Sequence, residues 1–141
     1  MQSDRSPDTR GASPAEILLA LLIVAAVSFI AVVLVRSERA RTRDAIRIAD
    51  MSQIGAALRA IAAVEGSYRS AGATCAVGES VGGCSFGTFL PNATTLADPL
   101  GTPYTVQRVP DATGFAVAFT LERGFGSYAK GAHLLTEAGI R

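Results

Sequence analysis

Apolar side chains fill residues 17–35 almost without interruption, nineteen positions of which Ser28 alone is polar. At the rise of an α-helix this run reaches about 28 Å, close to the roughly 30 Å hydrocarbon core of a bilayer. A chain of 141 residues with 6% aromatics has little material to enclose such a helix on all sides, so the pattern predicts a membrane span. Beyond it the period changes while the element continues. Met51, Ile54, Leu58 and Ile61 recur at spacings of three and four, with Arg47, Ser52, Gln53 and Arg59 among the interrupting polar positions. That amphipathic pattern carries the helix to about Glu65, where Gly66 ends it. A helix over 14–65 measures about 75–80 Å, so its apolar half needs a cover other than its own domain, which lipid gives first and neighbouring subunits could give later.

Residues 66–103 are dense in Gly, Ser, Thr and Pro, hold no sustained period, and are expected to be a connecting region. Asp98-Pro99-Leu100-Gly101-Thr102-Pro103-Tyr104 predicts a turn running into a strand, with two prolines excluding helix and Gly101 free to take a positive φ. Phe115, Val117, Phe119 and Leu121 alternate with Ala116, Ala118, Thr120 and Glu122, placing the large side chains on one face to pack on Ile54, Leu58 and Ile61. A shorter strand is expected over 104–109, joined to the first through residues 110–114. A third is expected over 132–136, after a turn at Gly124-Phe125-Gly126-Ser127. The fold class is therefore α+β: a long N-terminal helix, transmembrane then amphipathic, against a small three-stranded antiparallel sheet.

Charge and cysteine content narrow the function. The formal net charge is +1 and no lysine cluster is present, so no direct nucleic-acid site is evident. Arg36, Arg39, Arg41, Arg43 and Arg47 form one basic run, read as a solvated face beside the membrane with contact to anionic lipid head groups as a secondary use. Cys75 and Cys84, the only cysteines, enclose the flexible loop AVGESVGG. Their spacing is not Cys-x-x-Cys and no histidine lies nearby, so a structural disulfide is expected rather than a metal or redox pair. His133 falls in a predicted strand, outside any nucleophile motif. Asp98, Asp111, Glu122 and Glu137 are scattered without an Asp-x-Asp grouping for calcium. No metal site, cofactor or enzymatic activity is expected.

The residues before the apolar run carry the most specific signal. Ser13-Pro14-Ala15-Glu16 reads as a capping box, and Gly11 stands just before it. Gly11, Glu16 as the fifth residue after it, and the unbroken apolar helix from Ile17 together resemble the prepilins of type IV pili and the pseudopilins of type II secretion. Ala12 stands where the family usually has an aromatic residue, and Ser13-Pro14-Ala15-Glu16 replaces the usual Thr-Leu-Ile-Glu. Arg43-Asp44-Ala45 and Arg47-Ile48-Ala49-Asp50-Met51, with Gln53-Ile54 and Ala57-Leu58, are similar to the helix of small type IV pilins. Gly66-Ser67-Tyr68 stands where those pilins leave the helix, and residues 98–104 resemble the passage at which their sheet begins. Residues 15–54 lack the helix-breaking Gly and Pro that many pilins carry.

The resemblance implies a leader over 1–11, cut between Gly11 and Ala12 by a prepilin peptidase, with N-methylation of Ala12. It implies an assembly half of the helix over 12–35, an amphipathic half over 36–65 and a globular head over 66–141. In the bundle of helices Glu16 would pair with the amino group of Ala12 on an adjacent subunit. The implied partners are copies of the chain, the peptidase, the pilus or secretion assembly machinery, and the inner membrane before assembly. Counted by positive charge alone, the arginines after the span would hold the head in the cytoplasm. Processing of the leader and the cysteine pair point instead to an exported head. Two alternatives remain: a pseudopilin of a secretion or competence system, and a non-polymerising, single-pass anchored binding domain.

Overall fold

The computed structural model describes residues 13–141 of the chain. They fall into two compact units, one ending at Ser37 and one spanning Glu38–Arg141. Helix α1, Pro14–Glu65, runs through both. Up to residue 36 all of its residues are exposed. From Ala40 a buried stripe begins, with Asp44, Arg47, Met51, Ile54, Leu58 and Ile61 along it at intervals of three or four. The helix stops at Glu65, and Gly66 takes φ +75°, as the pattern predicts.

Within the second unit the connecting region is mostly irregular. A single helical turn, α2 at Arg69–Gly72, is followed by 3-10 turns at Val81–Gly83, Gly87–Phe89 and Ala93–Thr95. The 98–104 turn forms as expected: Gly101 N donates to Asp98 O at 2.7 Å, Asp98 N donates to Thr102 O at 2.9 Å, and Gly101 sits at φ +86°. Strand β1, Thr105–Arg108, follows directly.

The sheet has four strands in sequential antiparallel order, where three were expected: β1, β2 at Ala116–Phe125, β3 at Tyr128–Thr136 and β4 at Gly139–Ile140. Two reversals account for the difference. The first occupies only Gly126 and Ser127, with Phe125 paired to Tyr128, so β2 and β3 both run further than the four-residue turn implied. Gly126 takes φ +58°, a value a two-residue hairpin demands at its first position. The second reversal follows Thr136, whose hydroxyl donates to Gly139 O at 3.0 Å, and leads into β4. β1 lies at one edge, shielded by residues 79–81: Val106 N donates to Glu79 O and Val81 N to Tyr104 O.

Alternation places the large residues of β2 as predicted. Phe115, Val117, Phe119 and Leu121 are buried in one cluster with Met51, Ile54, Leu58 and Ile61 of α1 and with Tyr104 and Val106. Tyr68 packs edge-on against Phe115 with ring centroids 5.2 Å apart. The alternation breaks between Leu121 and Gly124, where two residues of β2 face one of β3. This bulge carries the backbone of Glu122, Arg123 and Gly124 to α1.

Candidate functional site

The N-terminal end of α1 is built as its four-residue signature predicts. Ser13 N donates to Glu16 Oε2 at 2.7 Å, and Glu16 N donates to Ser13 Oγ at 3.3 Å. The pair satisfies two amides that the helix itself leaves without partners, and the carboxylate meets the positive end of the helix dipole. Glu16 is exposed, and so is the apolar run after it, with Leu21 at 64% and Phe29 at 71% of full exposure. By length and composition α1 is able to cross a membrane. The expected cleavage and methylation positions, Gly11 and Ala12, lie outside the described residues.

Cys75 and Cys84 form a disulfide with Cα atoms 4.5 Å apart. It closes the loop that the sequence marks, and Thr74 Oγ1 reinforces the closure by donating to Gly83 O at 2.6 Å. Cys84 is buried in the core cluster and Cys75 packs against it. The bridge thereby ties the irregular region to the helix-sheet core.

A second constellation, absent from the sequence reading, sits on the buried stripe of α1. Arg47 is its centre. Its Nη1 donates to Asp44 Oδ1 at 2.7 Å and to Glu122 Oε1 at 2.8 Å, its Nη2 donates to Asp98 Oδ1 at 2.8 Å, and its Nε donates to Asp98 Oδ2. Arg43 grips Glu122 from the other side through Nε and Nη2, at 2.7 and 2.6 Å. Asp44 accepts the amide of Glu122 at 2.9 Å on one oxygen and those of Arg123 and Gly124 at 2.8 and 3.0 Å on the other. The bulge frees these three amides from the ladder, and one carboxylate satisfies them all.

Electrostatics follow from this geometry. Arg43 and then Arg47 hold the Glu122 carboxyl down at about 2. Burial pushes Asp44 and Asp98 up, but the three bulge amides and Arg47 outweigh it for Asp44, as Arg47 and the Leu100 amide do for Asp98, and both remain below the usual carboxylate range. Asp98 and the other two carboxylates hold the Arg47 guanidinium above its ordinary value. Next to this group Tyr104 Oη donates to Asp50 Oδ2 at 2.7 Å. Burial pushes Asp50 upward, and burial followed by the Asp50 contact pushes the Tyr104 phenol upward. With nearly all their polar atoms occupied by one another, these groups fasten the 98–104 turn and the β2 bulge to α1.

The arrangement corrects one expectation. Arg43 and Arg47 are not part of a solvated arginine face, since Arg47 is 2% exposed and Arg43 is partly buried against Glu122. Asp98 and Glu122, scattered in sequence, converge on these arginines. Asp111 instead caps its own hairpin loop, accepting from Arg108 and from the amides of Thr113 and Gly114. Glu137 lies 3.9 Å from Arg141. Among the described residues no three of His, Cys, Asp and Glu are grouped to hold a metal ion. His133 is half-exposed on β3, stacked 5.6 Å from Phe119 and within 2.8 Å of Ala129 O. The signal that could have revealed the cluster is the set of charges at 43, 44, 47 and 50, which continues the spacing of the apolar stripe toward Ala40.

Comparison of the chain with protein-family models, curated proteins and solved structures finds no match. The functional reading therefore rests on the residues themselves.

Proposed function

We propose that the chain is a structural subunit of a type IV pilus-like filament, held in the membrane through residues 17–35, cut after Gly11, and polymerised through the same apolar helix. The observation that carries this reading is the exposed nineteen-residue run, capped by Ser13 and Glu16, on a chain whose second unit has a core of its own. Such a surface stays out of water, and each large aliphatic side chain left exposed forgoes about 1.5–3 kcal/mol. Lipid covers it in the precursor. Exchange of lipid for neighbouring helices changes the hydrophobic term little, because acyl chains are as apolar as leucine. A specific polar contact must then set register, and Glu16 against the Ala12 amino group of the next subunit supplies one.

Identical contacts repeated head to tail build an open helical polymer rather than a closed ring. Export of the head accords with the Cys75–Cys84 disulfide. In this reading the chain works as a building element and carries out no catalysis; its filament serves adhesion, surface movement or DNA uptake. A pseudopilin would polymerise by the same chemistry into a short filament, and a simple anchored domain would keep its first eleven residues.

The test combines three measurements. The mature chain has the mass of residues 12–141 with one added methyl group, and sheared surface material contains it in fibres. Glu16→Gln inserts normally but yields fewer filaments. An intact N-terminus would select the simple anchor, and unchanged filament yield in Glu16→Gln would reject the pairing.

A further inference from the structure

The β2–β3 hairpin of the second unit, fastened by its Arg123 and Gly124 amides to Asp44, leaves side chains at its tip open to solvent. Gly124 N is bonded to Asp44, so the hairpin tip lies beside the turn of α1 that carries Arg41. Arg41, Arg123, Gly124, Phe125, Gly126 and Tyr128 enclose an open pocket of about 440 Å³. Arg41 is exposed, and its described ion pair is a 3.6 Å contact to the equally exposed Glu38. At the tip Phe125 shows 44% of its surface to solvent.

Position along the chain limits what this pocket meets. Arg41 follows Val35, the last residue of the apolar run, by six positions. Six helical residues advance about 9 Å, and even fully extended they reach only about 20 Å. A bilayer's head-group layer occupies roughly the first 5–8 Å outside the hydrocarbon. If residues 17–35 span the membrane, Arg41 is tethered within about 20 Å of the hydrocarbon edge, near enough for its long side chain to meet the head groups.

We infer that Arg41 and the β2–β3 hairpin tip form a docking site for the phosphate of an anionic membrane lipid. Guanidinium forks match phosphate oxygens, and an exposed aromatic side chain next to them suits the boundary between head groups and acyl chains. Positive charge so close to an anionic leaflet favours contact by about fivefold per arginine. The site would hold the head against the membrane before assembly and release it when the helix leaves the bilayer. The inference rests on the membrane-spanning reading of α1 and does not depend on polymerisation.

The chain contains no tryptophan, so Phe125→Trp supplies a single indole at the hairpin tip. The full-length variant is placed in bilayer discs of phosphatidylcholine alone or mixed with phosphatidylglycerol, each containing lipid brominated just below the head group. Quenching in the anionic discs, weak in the neutral ones, is the expected result. Arg41→Ala should lower that preference by about fivefold, while amide exchange over 115–121 reports an intact core. Equal quenching with and without Arg41, or none in anionic discs that hold the chain, overturns the site. Loss of quenching on adding inorganic phosphate, compared with chloride at matched ionic strength, assigns the pocket to free phosphate and overturns the lipid assignment. A chain that fails to enter discs at all removes the membrane reading beneath it. Amide exchange at 124–128 in the unsubstituted chain, faster in neutral than in anionic discs, gives a second measurement that needs no indole, and equal rates overturn the site.

Discussion

Replacing Arg47 with methionine keeps most of the side-chain volume and removes the charge on which three carboxylates converge. The Arg47 and Asp44 side chains are 3% and 0% exposed, Asp98 is 11% and Glu122 30%, so little solvent is available to take over. Removing one partner of a buried ion pair costs about 3–5 kcal/mol, because the charges left behind stay desolvated. For a domain of about 100 residues each kcal/mol lowers Tm by about 4–8 °C, which predicts a fall of at least about 12 °C.

The pH dependence carries a sign. Asp44, Asp98 and Glu122 have folded pKa values below their unfolded ones. Their stabilisation is therefore complete above the unfolded carboxylate range, near pH 4, and is lost as pH falls through the folded values, about 2 for Glu122. In Arg47→Met Arg43 still holds Glu122, but Asp44 and Asp98 lose their cation and their folded pKa values rise, so acid relieves the penalty. The deficit relative to wild type is largest at pH 7 and shrinks as pH falls from about 5 to about 3. Thermal unfolding of the full chain in detergent, followed by near-ultraviolet dichroism of the tyrosines, measures both effects. A Tm within about 3 °C of wild type at pH 7, or a deficit that does not change with pH, refutes the reasoning. Adding Asp98→Asn to Arg47→Met should recover part of the loss, since it removes one of the stranded charges.

Other perturbations probe separate parts of the structure. Cys75→Ala with Cys84→Ala opens the short disulfide loop and should cost about 2.5–3 kcal/mol, read as a lower urea midpoint that reductant does not lower further. Tyr104→Phe strands the buried Asp50 carboxyl, a loss of about 1–3 kcal/mol at pH 7. Because the Asp50 pKa already lies above its unfolded value, protonation favours the folded state, and that deficit should diminish in acid; a pH-independent loss contradicts the assignment. Gly72→Ala pushes a methyl group into the backbone carbonyl of Pro110, which should destabilise by about 1–3 kcal/mol. A melting curve matching wild type would show that α2 and the 109–110 segment have room to separate.

Much of this protein is legible residue by residue. The apolar run, the capping box, the stop at Gly66, the 98–104 turn and the buried face of β2 all follow from spacings within a dozen residues, because periodicity, caps and turns are local properties of the backbone. The disulfide is similarly near in sequence. The fourth strand escapes such reasoning because β4 is two residues long, too short to show any alternation.

The charged cluster lies beyond it for a different cause. Arg47 meets Asp98 across 51 positions and Glu122 across 75, and Asp44 meets the bulge amides across about 80. Hydrophobic periodicity sorts apolar from polar positions, but it does not say which polar groups will leave water. That depends on whether opposite charges and free amides arrive at the same place once the chain has closed. Here the β2 bulge turns Glu122 and three amides toward α1, and the turn brings Asp98. Sequence alone thus determined a long apolar helix followed by a small α+β head. Tertiary structure decided that two of the arginines beyond the apolar run would lock that head together, leaving Arg41 exposed at its edge.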